Sequence, residues 1–281
     1  MRRSYATPVA ACLRLDALRV PVRIITDGLW EGRTMTEPRV ALVTGGARGI
    51  GAAVARRLHA QGRRVVLADL LTNEAEALAD ELDGRAYRCD VTDSDGVRDM
   101  VSAIETDLGP VDVLVNCAGF DRFVRFVDTD EDFWDTIIDI NYKGTLRTCH
   151  AVLPGMTERG WGRIVNFASD AARVGSSLES VYAGAKAGVI GFTKTIARET
   201  VKKGVTCNVV CPGPTDTTLI REMGEQGELP AKIVGGLDRA MPIGRMAQPD
   251  EIAYGATVFT HDDALFITGQ TLSVSGGLTM A

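Results

Sequence analysis

From Arg39 to the C-terminus, short apolar runs alternate with longer stretches whose apolar positions recur at helical spacing. Candidate strands are Val40–Thr44, Arg64–Ala68, Ala86–Cys89, Val111–Asn116, Arg163–Phe167, Thr206–Val210 and Gln270–Val274. Most are near-continuous and β-branched, the pattern of parallel strands covered on both faces. Between them the spacing predicts helices over Ile50–Gln61, Thr72–Leu82, Ser94–Leu108, Glu131–Arg159, Ser180–Lys203 and Pro249–Thr260. Gly62, Gly84, Gly109, Gly160 and Gly204 follow five of these helices and predict left-handed stops. Seven strands alternating with helices imply an α/β fold, one domain built as a doubly wound seven-stranded parallel sheet with helices on both faces. The stretch from Thr215 to Met246 breaks the rhythm with scattered Gly and Pro, and a long insertion after a strand end predicts a substrate lid at about 215–246.

Residues 1–37 differ from the rest of the chain: Arg2, Arg3, Arg14, Arg19, Arg23 and Arg33 stand there without an amphipathic period. Arginine richness fits a transit peptide, whereas Asp16, Asp27 and Glu31 do not. The expectation is a start at Met35, or a disordered extension without catalytic role, with the domain spanning 38–281. The net charge of −6 without a basic run argues against nucleic acid and against an anionic membrane surface. No stretch approaches the roughly 20 apolar residues of a membrane span. Cys12, Cys89, Cys117, Cys149, Cys207 and Cys211 are scattered without a C-x-x-C pair and read as reduced thiols of a cytoplasmic protein. His59, His150 and His261 lack metal-ligand spacing, so no metal is expected.

Chemistry concentrates where strands end. The first strand runs into T-G-G-A-R-G-I-G (Thr44 to Gly51) and then a helix. Gly45, Gly49 and Gly51 let the backbone approach a pyrophosphate at the helix N-terminus, with Arg48 and Ile50 between them, so the fold is of Rossmann type. Asp69 ends the second strand, where a carboxylate accepts both adenosine-ribose hydroxyls and repels a 2′-phosphate; NAD is expected over NADP, with Arg48 pulling mildly the other way. Asp90 and Val91 follow the third strand, where a carboxylate can meet the adenine amino group. Asn116, Ala118 and Gly119 in N-C-A-G end the fourth, under the cofactor. Pro212, Gly213, Thr215 and Thr217 in C-P-G-P-T-D-T follow the sixth, where the threonines could bind a carboxamide.

Tyr182 and Lys186 stand one helical turn apart in V-Y-A-G-A-K, with Ser169 thirteen residues upstream of the tyrosine. Residues i and i+4 share a helix face, so the ammonium can sit roughly 5 Å from the phenol oxygen. At an effective dielectric near 20 that charge is worth about 3 kcal/mol, enough to bring a phenol from about 10 towards 7 to 8, where it serves as a proton-transfer group. Ser169 closes the strand R-I-V-N-F-A, and no G-x-S-x-G accompanies it. Asn141, inside the long helix Glu131–Arg159, is a poor helix-interior residue and predicts a local distortion with a water or lysine partner.

Together, T-G-G-A-R-G-I-G, N-C-A-G, Ser169 with Y-A-G-A-K, and C-P-G resemble the short-chain dehydrogenase/reductase family in order and spacing, over Arg39 to Ala281. The resemblance implies Tyr182 as general acid/base, Lys186 as its pKa depressor and nicotinamide-ribose ligand, and Ser169 as ligand of the substrate oxygen. It implies Asn141 as anchor of a water relay to the lysine. Cys117 departs from the asparagine usual there. Ser169–Ser177, Asn208–Thr217 and Phe266–Met280 also look like 2-hydroxycyclohexanecarboxyl-CoA dehydrogenase, whose substrate class is shared by the similar 3-oxoacyl-carrier-protein reductases. The implied activity is NAD-dependent interconversion of a secondary alcohol and a ketone on a hydroxyacyl thioester. Alternatives are an NADPH-dependent 3-oxoacyl-carrier-protein reductase, a dehydrogenase of a free alicyclic, steroid or polyol alcohol, and a dinucleotide-binding regulator without turnover. Arg122, Arg125 and Arg221 are candidates for CoA phosphates. Small residues in Ser180–Lys203 and the family resemblance imply a homotetramer built from that helix and Glu131–Arg159.

Overall fold

The structure, a computed structural model, describes residues 38–280, so the expectations for residues 1–37 lie outside it. The apolar runs form β1 (Val40–Thr44), β2 (Arg64–Asp69), β3 (Arg85–Arg88), β4 (Val111–Asn116), β5 (Gly162–Phe167), β6 (Val205–Pro212) and β7 (Thr271–Val274). They pair in parallel in the order β3-β2-β1-β4-β5-β6-β7. Every residue of β1, β4 and β5 is buried, which explains why these strands read as continuous rather than alternating.

Helices α1 (Gly49–Ala60), α2 (Thr72–Glu81), α3 (Ser94–Asp107), α4 (Glu131–Ile138), α5 (Gly144–Arg159), α6 (Ala171–Val174), α7 (Ser180–Thr200), α8 (Thr218–Gly224), α9 (Glu228–Val234), α10 (Leu237–Ala240) and α11 (Pro249–Val258) complete the described chain. One core layer packs α1, α2 and α11 on the sheet through Leu58, Leu78 and Ile252. The other packs α3, α5 and α7 through Val97, Val152 and Ala197. The winding reverses between β1 and β4, so the loops after these strands diverge and leave a crevice at the carboxyl edge. Among the described residues no helix is long and apolar enough to cross a membrane.

Two expectations are corrected. The stretch Glu131–Arg159 is two helices joined by a π-helical turn over Asp139–Lys143, because the side chain of buried Asn141 takes the carbonyl of Ile137 at 2.9 Å. Gly84 is not the left-handed stop of α2. That conformation falls on Asp83 (φ 47°), and Gly84 is needed because a Cβ would lie 2.5 Å from the Val65 carbonyl oxygen. The irregular stretch after β6 folds into the short helices α8, α9 and α10, tied back by a bridge between Thr215 and Ala247.

A buried amide network knits the sheet beneath the crevice. Asn116 Nδ2 donates to Asn166 Oδ1 (2.9 Å), Asn166 Nδ2 to Thr193 Oγ1 (2.8 Å), and Thr148 Oγ1 to Asn116 Oδ1 (2.7 Å). These bonds tie β4 and β5 to α5 and α7. Asn166→Leu strands buried partners on both sides and is expected to cost about 1–3 kcal/mol, read as a lower urea midpoint at unchanged slope.

Candidate functional site

At the crevice lies a cavity of about 930 Å³ whose floor is the loop from β1 to α1. The loop is tight for a steric reason: a Cβ on Gly51 would lie 2.0 Å from the Gly45 carbonyl oxygen, and one on Gly45 (φ 63°) 2.7 Å from Ala118 Cα. Gly45, Arg48, Gly49, Ile50 and Gly51 line this cavity, as do Asp69, Asp90 and Val91 beyond β2 and β3. Ala118 and Gly119 line it from β4, with Thr217 on the opposite rim. Asp69 is held by two backbone donors, Ala47 N to Oδ2 at 2.9 Å and Leu71 N to Oδ1 at 3.0 Å. It therefore braces the glycine loop while facing the cavity. Asp90 Oδ1 is likewise fixed by Thr92, from its N–H at 2.9 Å and its hydroxyl at 2.7 Å. Length, glycine floor and acidic far wall fit a dinucleotide.

Two expected ligands sit differently. Asn116 does not line the cavity: its amide turns into the sheet network, because alternation along β4 points it at α5 and β5. Thr215 is buried with its hydroxyl donated to the Gly213 carbonyl at 2.9 Å, so it shapes the turn. Thr217 caps α8, accepting from Ile220 N at 3.3 Å. Pro212 and Gly213 line a second cavity together with both threonines. Arg48 is engaged by α8, its guanidinium donating to Glu222 at 3.0 and 3.2 Å. Of the arginines considered for CoA, Arg125 pairs with Asp128 and Arg221 with Asp216.

The second cavity, about 330 Å³, shares Ile50, Cys117, Gly119, Phe120, Thr217 and Leu219 with the first and runs under α8, α9 and α10. Ser169, Tyr182 and Lys186 line it together. Lys186 is only 4% exposed, donates to the Phe167 carbonyl at 3.0 Å, and lies 5.7 Å from the centroid of the Tyr182 ring. Ser169 Oγ accepts from Ala171 N, two residues on, at 3.1 Å, and its hydroxyl is also in hydrogen-bonding contact with Tyr182. Asn141 meets the loop after β4: Nδ2 donates to the Phe120 carbonyl at 2.7 Å, and Oδ1 accepts from Phe120 N at 3.2 Å. A methyl at Gly119 would lie 3.0 Å from Asn141 Oδ1 and 3.5 Å from Lys186 Nζ, so this glycine lets the two side chains converge. Among the described residues Asn141 is partnered by backbone, that of Phe120 and Ile137.

The electrostatics also differ from expectation. Tyr182 is pushed above the ordinary tyrosine range. Burial is the main cause, the carboxyls of Asp121 and Glu179 add to it, and only the bond from Ser169 favours ionisation. Lys186 is itself driven down to about 8 by burial, so the cation meant to depress the phenol is costly to keep charged. A surface-like Coulomb estimate omitted both desolvation and the two carboxylates.

The family model described as enoyl-(acyl carrier protein) reductase matches residues 45–279. The chain belongs to the short-chain dehydrogenase/reductase family. It is 39% identical over 240 residues to an acetoacetyl-CoA reductase of Shinella zoogloeoides, covering 85% of this chain and 98% of that one. It is 36% identical over 246 residues to the 3-oxoacyl-[acyl-carrier-protein] reductase of Escherichia coli, covering 87% and 98%. The crystal structure of an actinorhodin polyketide ketoreductase with NADPH superposes with a TM-score of 0.81 at 34% identity, over 86% of this chain and 97% of that one. The protein is thus an oxidoreductase of this family, with a nicotinamide-dinucleotide fold and a small-molecule substrate.

Reasoning along the sequence missed the short-chain dehydrogenase's acidic wall: Asp121 and Glu179 both line the second cavity. An acid two residues past Gly119, in F-D-R-F, and another three before Tyr182 were the available signals. Phe120, Phe123, Met223 and Leu237 supply apolar walls from the loop after β4 and from the lid. Because no methyl fits at Gly51, Gly51→Ala should weaken NADH binding at least tenfold in a fluorescence titration while the far-ultraviolet circular dichroism stays unchanged.

Proposed function

We propose that this chain interconverts a secondary alcohol and a ketone on a hydroxyacyl thioester, of the 3-hydroxyacyl-CoA or 2-hydroxycyclohexanecarboxyl-CoA type, with NAD(H) as cofactor. The observation that carries the reading is the convergence of Ser169, Tyr182 and Lys186 on a cavity that opens into the dinucleotide crevice. Bound in that crevice, the nicotinamide supplies the hydride donor or acceptor. In the reducing direction the Tyr182 hydroxyl gives its proton to the substrate oxygen, to which the Ser169 hydroxyl also donates a hydrogen bond. A phenol held in its neutral form suits that role. Lys186, fixed on the Phe167 carbonyl, holds the nicotinamide ribose, and Asn141 fixes the turn on which the loop after β4 rests.

Three observations support the finer parts. Asp69 faces the adenosine end of the crevice, where its charge disfavours a 2′-phosphate. Both similar curated relatives are named for 3-oxoacyl thioesters. Met223, Ile233 and Leu237 make the second cavity apolar under α8, α9 and α10, consistent with an acyl chain inside. A second reading, an NADPH-dependent reductase of carrier-protein thioesters, is favoured by Arg48, which lines the same cavity as Asp69. We further propose a homotetramer through α7, where Gly184, Ala187 and Gly191 form an exposed stripe with open space over both glycines.

Tyr182→Phe should keep NADH binding yet lose at least a few hundred-fold in turnover; near-wild-type turnover would contradict the assignment. Acetoacetyl-CoA reduction should run with a higher kcat/KM on NADH than on NADPH and exceed that of free alicyclic ketones, and the opposite order in either comparison would reassign cofactor or substrate. Light scattering at micromolar concentration should return four times the chain mass, and a monomer would refute the assembly.

A further inference from the structure

The loop after β4 and the N-terminus of α7 bring two carboxyl groups together beside the acid/base candidate. Asp121 is 3% exposed, and no nitrogen or hydroxyl donor among the described residues reaches its Oδ2. Its carboxyl is in hydrogen-bonding contact with the Arg122 backbone N–H and with a second carboxyl, that of Glu179. The contact is built rather than incidental. Leu178 adopts a left-handed backbone (φ 71°), which a branched side chain rarely takes, and its carbonyl accepts from Val124 N at 3.0 Å. That clamp pins the residue before Glu179 to the loop that carries Asp121. Ser176 Oγ donates to Glu179 Oε2, and Glu179 is the N-cap residue of α7, three positions before Tyr182.

Two carboxyls in contact, Asp121 buried and Glu179 half-buried, disfavour ionisation of both, so one proton is held between them and the pair carries a single negative charge. We propose that Asp121 and Glu179 act as one positioning unit for Tyr182, presenting that single charge to the phenol and keeping it in its proton-donating form, so that the site is set for carbonyl reduction. The inference rests on the reading of Tyr182 as the acid/base group.

The other groups around the phenol leave this charge unopposed except from one side. Lys186 approaches from α7 itself, driven towards neutrality by burial. Cys117 from β4 and Cys211 from β6 are thiols pushed up to about 12, and therefore uncharged. Ser169 after β5 contributes only its hydroxyl, and the neighbouring Asp170 accepts from Ser273 Oγ. Asp121, pushed up to about 9 by burial and by Glu179, keeps the shared proton at neutral pH.

The pair predicts an uneven response to substitution. Alcohol oxidation needs Tyr182 without its proton, so its kcat/KM should rise with pH along a limb set by the phenol. Asp121→Asn leaves the charge on Glu179 and should shift that limb by no more than a few tenths of a pH unit. Asp121→Asn with Glu179→Gln removes the charge and should move the limb down by about one pH unit, raising oxidation on the limb about tenfold. NADH affinity, read by fluorescence, should be unchanged in both. An unshifted limb in the folded double variant, or a shift in Asp121→Asn alone as large as in the double, would overturn the proposal. Infrared difference spectra of the wild-type protein keep the question answerable should the double variant fail to fold. A protonated-carboxyl band at neutral pH that vanishes in Asp121→Asn is expected, and its absence from the wild type would overturn proton sharing. Tyr182→Phe separates the two readings: survival of the limb in that variant removes the acid/base assignment, whereas its loss with an unshifted double variant removes only the role of the pair.

Discussion

A lysine ammonium buried to 4% exposure at the carboxyl edge of a parallel sheet is the costly element around which this molecule is organised. Its ammonium donates to the carbonyl of Phe167, at 3.0 Å, and so ties α7 to the end of β5. With α7 so placed, Tyr182 one turn earlier reaches the Ser169 hydroxyl, and Glu179 earlier still reaches Asp121. Gly119 stays bare so that Asn141 and Lys186 can meet over it. The same burial that positions the lysine lowers its hold on its proton, so geometry and electrostatics are two consequences of one placement.

Much of this arrangement was legible in the chain. The short runs locate all seven strands to within two residues at each end, most sharply β1, β4 and β5, which are covered on both faces and have no polar side to confuse the pattern. The glycines of Thr44–Gly51 announce the crevice, since no other residue lets Gly45, Gly51 and Ala118 approach as they do. The four expected members of the site also fall around one cavity wall, with Asn141 behind it. What was not legible depended on contacts between segments distant in sequence. Asn116 looked like a cofactor ligand because it stands beside Ala118 and Gly119, yet the direction of its side chain was set by Asn166 and Thr148, 50 and 32 positions away. The helix over Asn141 read as continuous because a π-helical turn preserves apolar spacing on either side of it. The charge state of Tyr182 was misjudged for a similar reason: spacing reveals the cation on its own helix, whereas burial and the carboxyl from the loop after β4 are tertiary facts.

Division of labour follows from the two cavities. The larger one is shaped by backbone, with glycines on its floor and carboxylates held by N–H groups, and it serves chemistry shared across the short-chain dehydrogenases. The smaller one is shaped by side chains from the loop after β4 and from α8, α9 and α10, where Phe123, Met223 and Leu237 set its width. Arg48 and Glu222 join the two, because the lid helix α8 is ion-paired to the glycine loop. The lid that would select substrate is therefore mechanically attached to the loop that would grip the dinucleotide.

Burial and the carboxyls of Asp121 and Glu179, rather than the lysine one turn away, govern the proton on Tyr182. An ultraviolet difference titration of the protein alone, wild type minus Tyr182→Phe, reads that phenol directly. The account predicts no phenolate from Tyr182 anywhere from neutral pH up to the ordinary tyrosine value of about 10. A phenolate signal assigned to Tyr182 and centred at about 7 to 8, where an exposed lysine neighbour alone would place it, would contradict the account.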